Sequence, residues 1–527
     1  MTARAASAAA APGPVSLERL ADALASVQRQ CPELAVVAIR WMHLRHPLQH
    51  VQEEFLRGGR RRGAGAAALL ARCAQGVLYA GYCWIRLGWL RLRARQALTT
   101  AAGQPFDLIV KTWVRDLACA DRADDFYFGD LQRRLAEREV RVLMLCGNVA
   151  GDGWAPFAQA CARAPTPRLS ELCLLPLSAP LRMLAQQWRA RRRLRRLAAR
   201  APDALVRRIC HAASHACLAP DTARAGFYYW IGQAAAQTWQ PRAILGVYEA
   251  QGWEQAFRWG VKTAEASCRV IGYQHALLFP EALSLLSPPR TPGLPVHPDV
   301  VLCLGAAPRN RLRPGHEPYG ARLVPFGSFW YRAPGIAEPA APSKRMILVV
   351  PEGHPSAVQE LFRFASACAP RMPGYTFLLR CHPAFPMTRG LQSVLGGVPR
   401  QPNVVFSDGR TIEEECAWSS AVLYRGSAAV LYAVLHGLLP VYLDLPGGYD
   451  QDPLGGLPGW HARCATPDDL AAVMARHEAR PQERLEADWQ SAAQQLNACT
   501  GPVTDAHLEA LMEAAGLAPS GRVGDGP

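Results

Sequence analysis

Short apolar runs rich in β-branched residues recur along this chain, spaced widely enough for a helix between each pair. The runs at 106–110, 140–146, 244–248, 269–273, 299–304 and 322–326 have strand length, and the segments between them are longer and mixed in polarity. That alternation predicts βαβ units and a parallel sheet. A second series follows at 346–350, 375–379, 404–406, 421–424 and 441–443, with helices predicted at 358–369, 412–420 and 428–436. Residues 332–344 are rich in proline and alanine and read as a linker. The expected fold is therefore α/β, with two Rossmann-like domains facing across a cleft. The expected divisions are an N-terminal segment over 1–100, a first domain over 101–331, the linker, a second domain over 345–480, and C-terminal helices and tail over 481–527.

The first hundred residues follow a different pattern. A helix is predicted over 17–30 and a buried strand over 34–41, LAVVAIRW. Residues 66–95 are apolar but interrupted by Arg72 and Arg86, so no uncharged run reaches the roughly 20 residues of a membrane span. With Tyr82, Trp84 and Trp89 the stretch fits a helix lying on a membrane surface or a buried amphipathic helix of the first domain. Residues 181–208 hold ten arginines and one acid, Asp203. Few buried positions are expected there. A solvated face, an anionic membrane contact and a nucleic-acid contact all fit, and the membrane is favoured because no nucleic-acid module accompanies the arginines.

Composition narrows the class of partner. The 527 residues carry a formal net charge of +15, which favours an acidic partner such as a nucleotide phosphate or anionic lipid. The length exceeds what one core supports. No pair among the 16 cysteines has Cys-x-x-Cys spacing, so neither a zinc ribbon nor a disulfide framework is expected. His211 and His215 would share a helix face near Cys210 and Cys217, but no carboxylate completes a metal set. Acids at Asp124 and Asp130 precede a predicted helix and read as capping groups. The alanine-rich start lacks the apolar block of a secretory signal and reads as a disordered terminus. A cytoplasmic protein, peripheral on the inner membrane, is expected.

Candidate chemistry sits at predicted strand ends, where open α/β sheets bind ligands. In the first domain Glu249 and Gln274-His275 end two strands, and Glu249 and His275 are candidate acid/base groups. Asp408, at a strand end of the second domain, is a further catalytic candidate. Also in the second domain, residues 375–379 end at Arg380-Cys381-His382-Pro383, which places a guanidinium and an imidazole for phosphate or ribose. Tyr424-Arg425-Gly426-Ser427-Ala428-Ala429 reads as strand, turn and helix start. The backbone N–H groups of Gly426, Ser427 and Ala428 and the Ser427 hydroxyl can meet a phosphate there. Glu352, which ends the run at 346–350, is grouped with the same nucleotide side. A plain N-cap serine and a structural histidine are the plainer readings of Ser427 and His382.

With RCHP and YRGSAAVLYAVLHGLLPVY in its second half, the chain resembles GT-B glycosyltransferases of bacterial surface polysaccharide synthesis. It is distantly similar to bacterial sialyltransferases and capsule Kdo transferases, in which the His-Pro histidine and helix-start serine contact the CMP part of the donor. The matching positions are His382-Pro383 and Ser427. The sialyltransferase pair of acids before glycine is echoed only at Pro351-Glu352-Gly353 and Ser407-Asp408-Gly409. The YEAQGWE and GYQHALLFPEALS stretches resemble surface-carbohydrate biosynthesis proteins. The resemblance covers about residues 105–455. It implies metal-independent transfer of a sugar from a nucleotide-activated donor to a lipid-linked or polysaccharide acceptor. The donor is a substrate, and no cofactor is expected. The basic elements at 60–95 and 182–208 would hold the enzyme at an anionic membrane, and a nucleic-acid partner is not expected. Glycerophosphate or alditol-phosphate transfer, or a non-catalytic role in polysaccharide assembly, are the alternative readings.

Overall fold

The computed structural model describes residues 15–43, 55, 66–114, 117–149, 153–280, 282–286, 297–329, 331, 339–341, 344–353, 355–382, 401–445, 450–455, 457 and 459–517. Most of the expected linker, together with the Arg60–Arg62 run, His354, Pro383 and the alanine-rich start, lies outside them.

The first sheet contains β1 (Leu108–Val114), β2 (Val142–Asn148), β3 (Arg168–Ser170), β4 (Ala243–Val247), β5 (Arg269–Gln274), β6 (Val300–Cys303) and β7 (Arg322–Pro325). Its strands are all parallel, in the order β3-β2-β1-β4-β5-β6-β7. The second sheet contains β8 (Met346–Val350), β9 (Thr376–Leu379), β10 (Val404–Phe406), β11 (Ala421–Tyr424), β12 (Leu439–Leu443) and β13 (Ala462–Cys464). It too is all parallel, in the order β10-β9-β8-β11-β12-β13. In each sheet the strand order thus reverses once, between β1 and β4 and between β8 and β11. These are two Rossmann-like domains, each with one topological switch point.

Burial on both faces explains why the strands read as unbroken apolar runs. In β8, Ile347 and Val349 enter one core while Leu348 and Val350 enter the other. Helices Pro355–Cys368 and Pro467–Glu478 cover the first face, and Ala429–Leu435 and Gln482–Cys499 cover the second. The first domain's core also takes in helix Leu17–Gln30. Its tightest helix pair is Pro220–Trp239 against Gly252–Ala264, where a Cβ added at Gly260 would strike the Tyr229 carbonyl.

Three sequence expectations are corrected. Residues 34–41 are buried except for Arg40 but are not a strand: 3₁₀ turns at Pro32–Ala35 and Arg40–Met42 bracket them. An apolar run of that length specifies burial without specifying backbone. The arginine-rich helix, Ala179–Arg200, is not poor in buried positions, because Met183, Gln187, Ala190, Leu194 and Ala198 line one inward face. Small residues between arginines supply that face. Asp130 occupies an N-cap position but makes no capping bond and pairs with Arg133 instead. The structural acid of that loop is Asp125, which accepts from the Thr112 hydroxyl at 2.8 Å and from the Tyr127 and Phe128 amides. Cys210 and Cys217 are buried while His211 is exposed, so the four residues do not converge, and among the described residues no group of three or more metal-ligating side chains exists.

The chain passes between the domains after β7 and returns near residue 500. The two passages touch: the Ser328 amide donates to the Gly501 carbonyl at 2.7 Å and the Tyr331 hydroxyl to Asn497 at 2.8 Å. Helix Gln482–Cys499 sits on the second domain, with the Trp489 indole donating to the Val434 carbonyl at 2.8 Å. Helix Asp505–Ala515 then sits on the first, where Leu508 and Leu511 enter its core.

Candidate functional site

The switch point of the first sheet opens into a cavity of about 400 Å³. Strand ends supply most of its chemistry: Trp113 from β1, Glu249 after β4 and His275 after β5. Tyr228 from helix Pro220–Trp239 and Trp253 from helix Gly252–Ala264 complete an aromatic wall.

Glu249 is held by a small hydrogen-bonded frame. Its amide donates to both oxygens of buried Glu254 at 3.1 Å, and its own carboxylate accepts from the Gln251 amide at 2.6 Å. Glu254 therefore ties the loop to the first turn of helix Gly252–Ala264. Ala250 takes a left-handed φ of 56°, rare for a residue with a side chain, and this turns the chain sharply from strand to helix. The result sets Glu249 Oε1 3.4 Å from His275 Nε2. The Tyr127 ring stands edge-on to the His275 ring at 4.8 Å between centroids. Gln274 is not part of the cavity wall. It is fully buried, and its oxygen accepts from the Leu304 amide at 3.1 Å, so it joins the ends of β5 and β6.

Beneath the aromatic wall lies a buried ion pair. Lys111 Nζ is 2.9 Å from Glu171 and 3.8 Å from the Trp113 ring centroid, and the Tyr228 hydroxyl donates to the same Glu171 carboxylate. Burial pulls the Lys111 ammonium below its ordinary pKa, against the raising effect of Glu171. The pair orients Tyr228 and Trp113 from below.

At the second sheet's switch point, Glu352 follows β8 and Gly426-Ser427 follow β11. Gly426 has φ of 68°, and a Cβ there would sit 2.6 Å from a Glu352 oxygen, so the turn demands glycine. Gly353 lies under the His382 ring, where a Cβ would come within 2.9 Å of Cε1. Glu352, Gly353, His382, Gly426 and Ser427 are thus neighbours. Burial raises the Glu352 carboxyl to about 8 against the lowering effect of Arg425, and Glu360, which pairs with Arg425 at 2.6 Å, adds to the rise. Ser427 is buried, and Ala428 holds the N-cap position with no side-chain capping bond.

Two candidates stand apart from this group. Arg380 donates to buried Glu415 at 2.6 Å and to the Arg410 carbonyl at 2.8 Å. Asp408 follows edge strand β10, exposed and paired with Arg410 at 3.1 Å. Sequence reasoning missed Asp452 and His461, 2.7 Å apart, with Tyr424 donating to Asp452 at 2.6 Å. Burial pushes Asp452 up, but the His461 and Tyr424 bonds outweigh it and hold the carboxyl below its ordinary range. The missed cavity residues Arg40, Arg224 and Tyr228 come from helical segments whose local pattern reports only a helix face.

No family model matches the chain, and no curated protein matches it. Among solved structures, the glycotransferase of kitacinnamycin is 14% identical with a TM-score of 0.43, over 78% of this chain and 99% of that one. MurG of Acinetobacter baumannii is 11% identical with a TM-score of 0.40, over 78% and 99% respectively. The UDP-GlcNAc 2-epimerase of Neisseria meningitidis, solved with UDP-GlcNAc, is 10% identical with a TM-score of 0.43, over 77% and 100%.

Proposed function

We propose that the chain is a GT-B glycosyltransferase acting on a nucleotide-activated sugar. The second domain binds the nucleotide at Gly426-Ser427, His382 and Glu352, and the first binds the acceptor in the cavity beside Glu249 and His275. The acceptor hydroxyl attacks the anomeric carbon, the bond from that carbon to the phosphate oxygen breaks, and the nucleotide leaves with both electrons. The acceptor proton passes to the Glu249–His275 pair. A lipid-linked or polysaccharide acceptor suits a cavity with aromatic walls and a few convergent polar groups.

The observation that carries this reading is the pairing of an imidazole and a carboxylate, at 3.4 Å, on the wall of a cavity at the first switch point. A second ligand site of different chemistry lies at the other switch point. The test separates the two. His275→Ala is expected to lower turnover about 10²–10⁴-fold with nucleotide affinity retained. His382→Ala is expected to abolish nucleotide binding. Unchanged nucleotide affinity in His382→Ala would sink the donor assignment. A labelled glycerophosphate product with release of CMP would assign alditol-phosphate transfer instead.

A further inference from the structure

Helix Ala66–Ala102 is 37 residues long, about 55 Å at the ordinary helical rise, and one of its long faces is largely exposed, with the Trp154 ring edge-on to Tyr82 at its margin. The inward face is regular: Ala80, Cys83, Leu87, Leu90 and Ala94 are all buried against the first domain. The opposite face repeats at the same spacing with large apolar side chains. Leu78 is 72% exposed, Tyr82 50%, Ile85 57%, Trp89 58% and Leu92 77%, and Trp84 stands beside them at 53%. Gly81 and Gly88 fall along one edge of this face, where an added Cβ would meet nothing within 4 Å. Scattered exposed leucines need no explanation, but a continuous stripe of this length does.

Charge decides what covers it. At 100° per residue Arg86 and Arg93 flank one side of the stripe and Arg91 and Arg95 the other, and the helix contains no acid at all. Two copies meeting face to face would set arginine rows against each other. Among the described residues no helix is long and apolar enough to cross a membrane. An apolar, aromatic stripe between rows of arginine instead matches the boundary between acyl chains and anionic headgroups: the rings and aliphatic groups enter, and the guanidinium groups reach the phosphates.

We infer that this outward face, centred on Tyr82, Ile85 and Trp89, docks the protein flat on an anionic lipid surface. The arginine-rich helix Ala179–Arg200 does not carry the docking, because its regular apolar face is spent in the core. The inference stands apart from the reaction proposed above, since it requires no nucleotide and no turnover.

The experiment is flotation of the full chain with phosphatidylcholine vesicles, with and without phosphatidylglycerol. The unaltered protein is expected to float with the anionic vesicles and to be released as salt rises. Ile85→Gln/Trp89→Gln should lose at least about tenfold in partitioning, and Arg93→Glu/Arg95→Glu should lose the preference for anionic lipid. Both double variants replace exposed side chains, so their circular dichroism and nucleotide-induced thermal shift should match the parent. Failure of the parent to float overturns the inference, as does unchanged flotation of Ile85→Gln/Trp89→Gln. A dimer that Ile85→Gln/Trp89→Gln dissolves, without vesicle binding by the parent, assigns the face to a second copy and also overturns it.

Discussion

Lys111 and Glu352 are both ionisable groups taken out of water, in different surroundings. Lys111 has a direct partner in Glu171, so the ammonium is compensated although burial lowers its pKa. Removing one member of such a pair strands the other. Lys111→Met is expected to destabilise the protein by about 3–5 kcal/mol in urea denaturation, and Lys111→Met/Glu171→Leu to recover most of it. Equal loss in the single and double variants would contradict the account. At Glu352 burial outweighs the lowering effect of Arg425, and the carboxyl rises from 4.5 to about 8. In that window the folded protein holds a proton that the unfolded chain has released. Stability therefore falls as pH rises from the unfolded value to the folded one, and levels above it. Glu352→Gln should remove this decline, so that its stability relative to the parent grows between about pH 5 and pH 8. Parallel melting-temperature profiles would show that Glu352 is not buried as a neutral acid.

Elements explain why some of this was legible in the sequence and some was not. The strand ends at Glu249, His275, Glu352 and Gly426 were readable because buried parallel strands are unbroken apolar runs, and the next polar residue marks the rim. β3 (Arg168–Ser170) and β13 (Ala462–Cys464) each contain an arginine and no β-branched residue, so they lack the apolar pattern that made the equally short β10 readable. Residues 34–41 misled because burial in a helical layer gives the same composition as a buried strand. The cavity wall was hidden for a different reason: Arg40, Arg224 and Tyr228 reach the rim only through helix packing, which sequence spacing does not report. That packing rests on the close crossing of Pro220–Trp239 over Gly252–Ala264 at Gly260. Gly260→Ala is therefore expected to cost at least about 1–3 kcal/mol, because the added carbon meets backbone and not a movable side chain. Chemical denaturation measures it, and a neutral effect would mean that the helices part freely.

The whole molecule is two parallel sheets on one chain, each with one switch point, joined by two passages that hydrogen-bond to each other at Ser328 and Gly501. The final helix belongs to the first domain by packing, although it follows the second in sequence. Removing residues 505–527 should expose the surface that Leu508 and Leu511 cover and lower the first domain's melting temperature. The nucleotide response of the second domain should remain in calorimetry, and loss of both together would show that the domains do not act separately. Division of labour between the sites is the central claim. Isothermal titration of UDP, GDP, CMP and CDP into the parent, His275→Ala and His382→Ala tests it most directly. One nucleotide is expected to bind the parent and His275→Ala with the same affinity and not to bind His382→Ala. Binding lost in His275→Ala but kept in His382→Ala, or no nucleotide bound by any of the three, would contradict it.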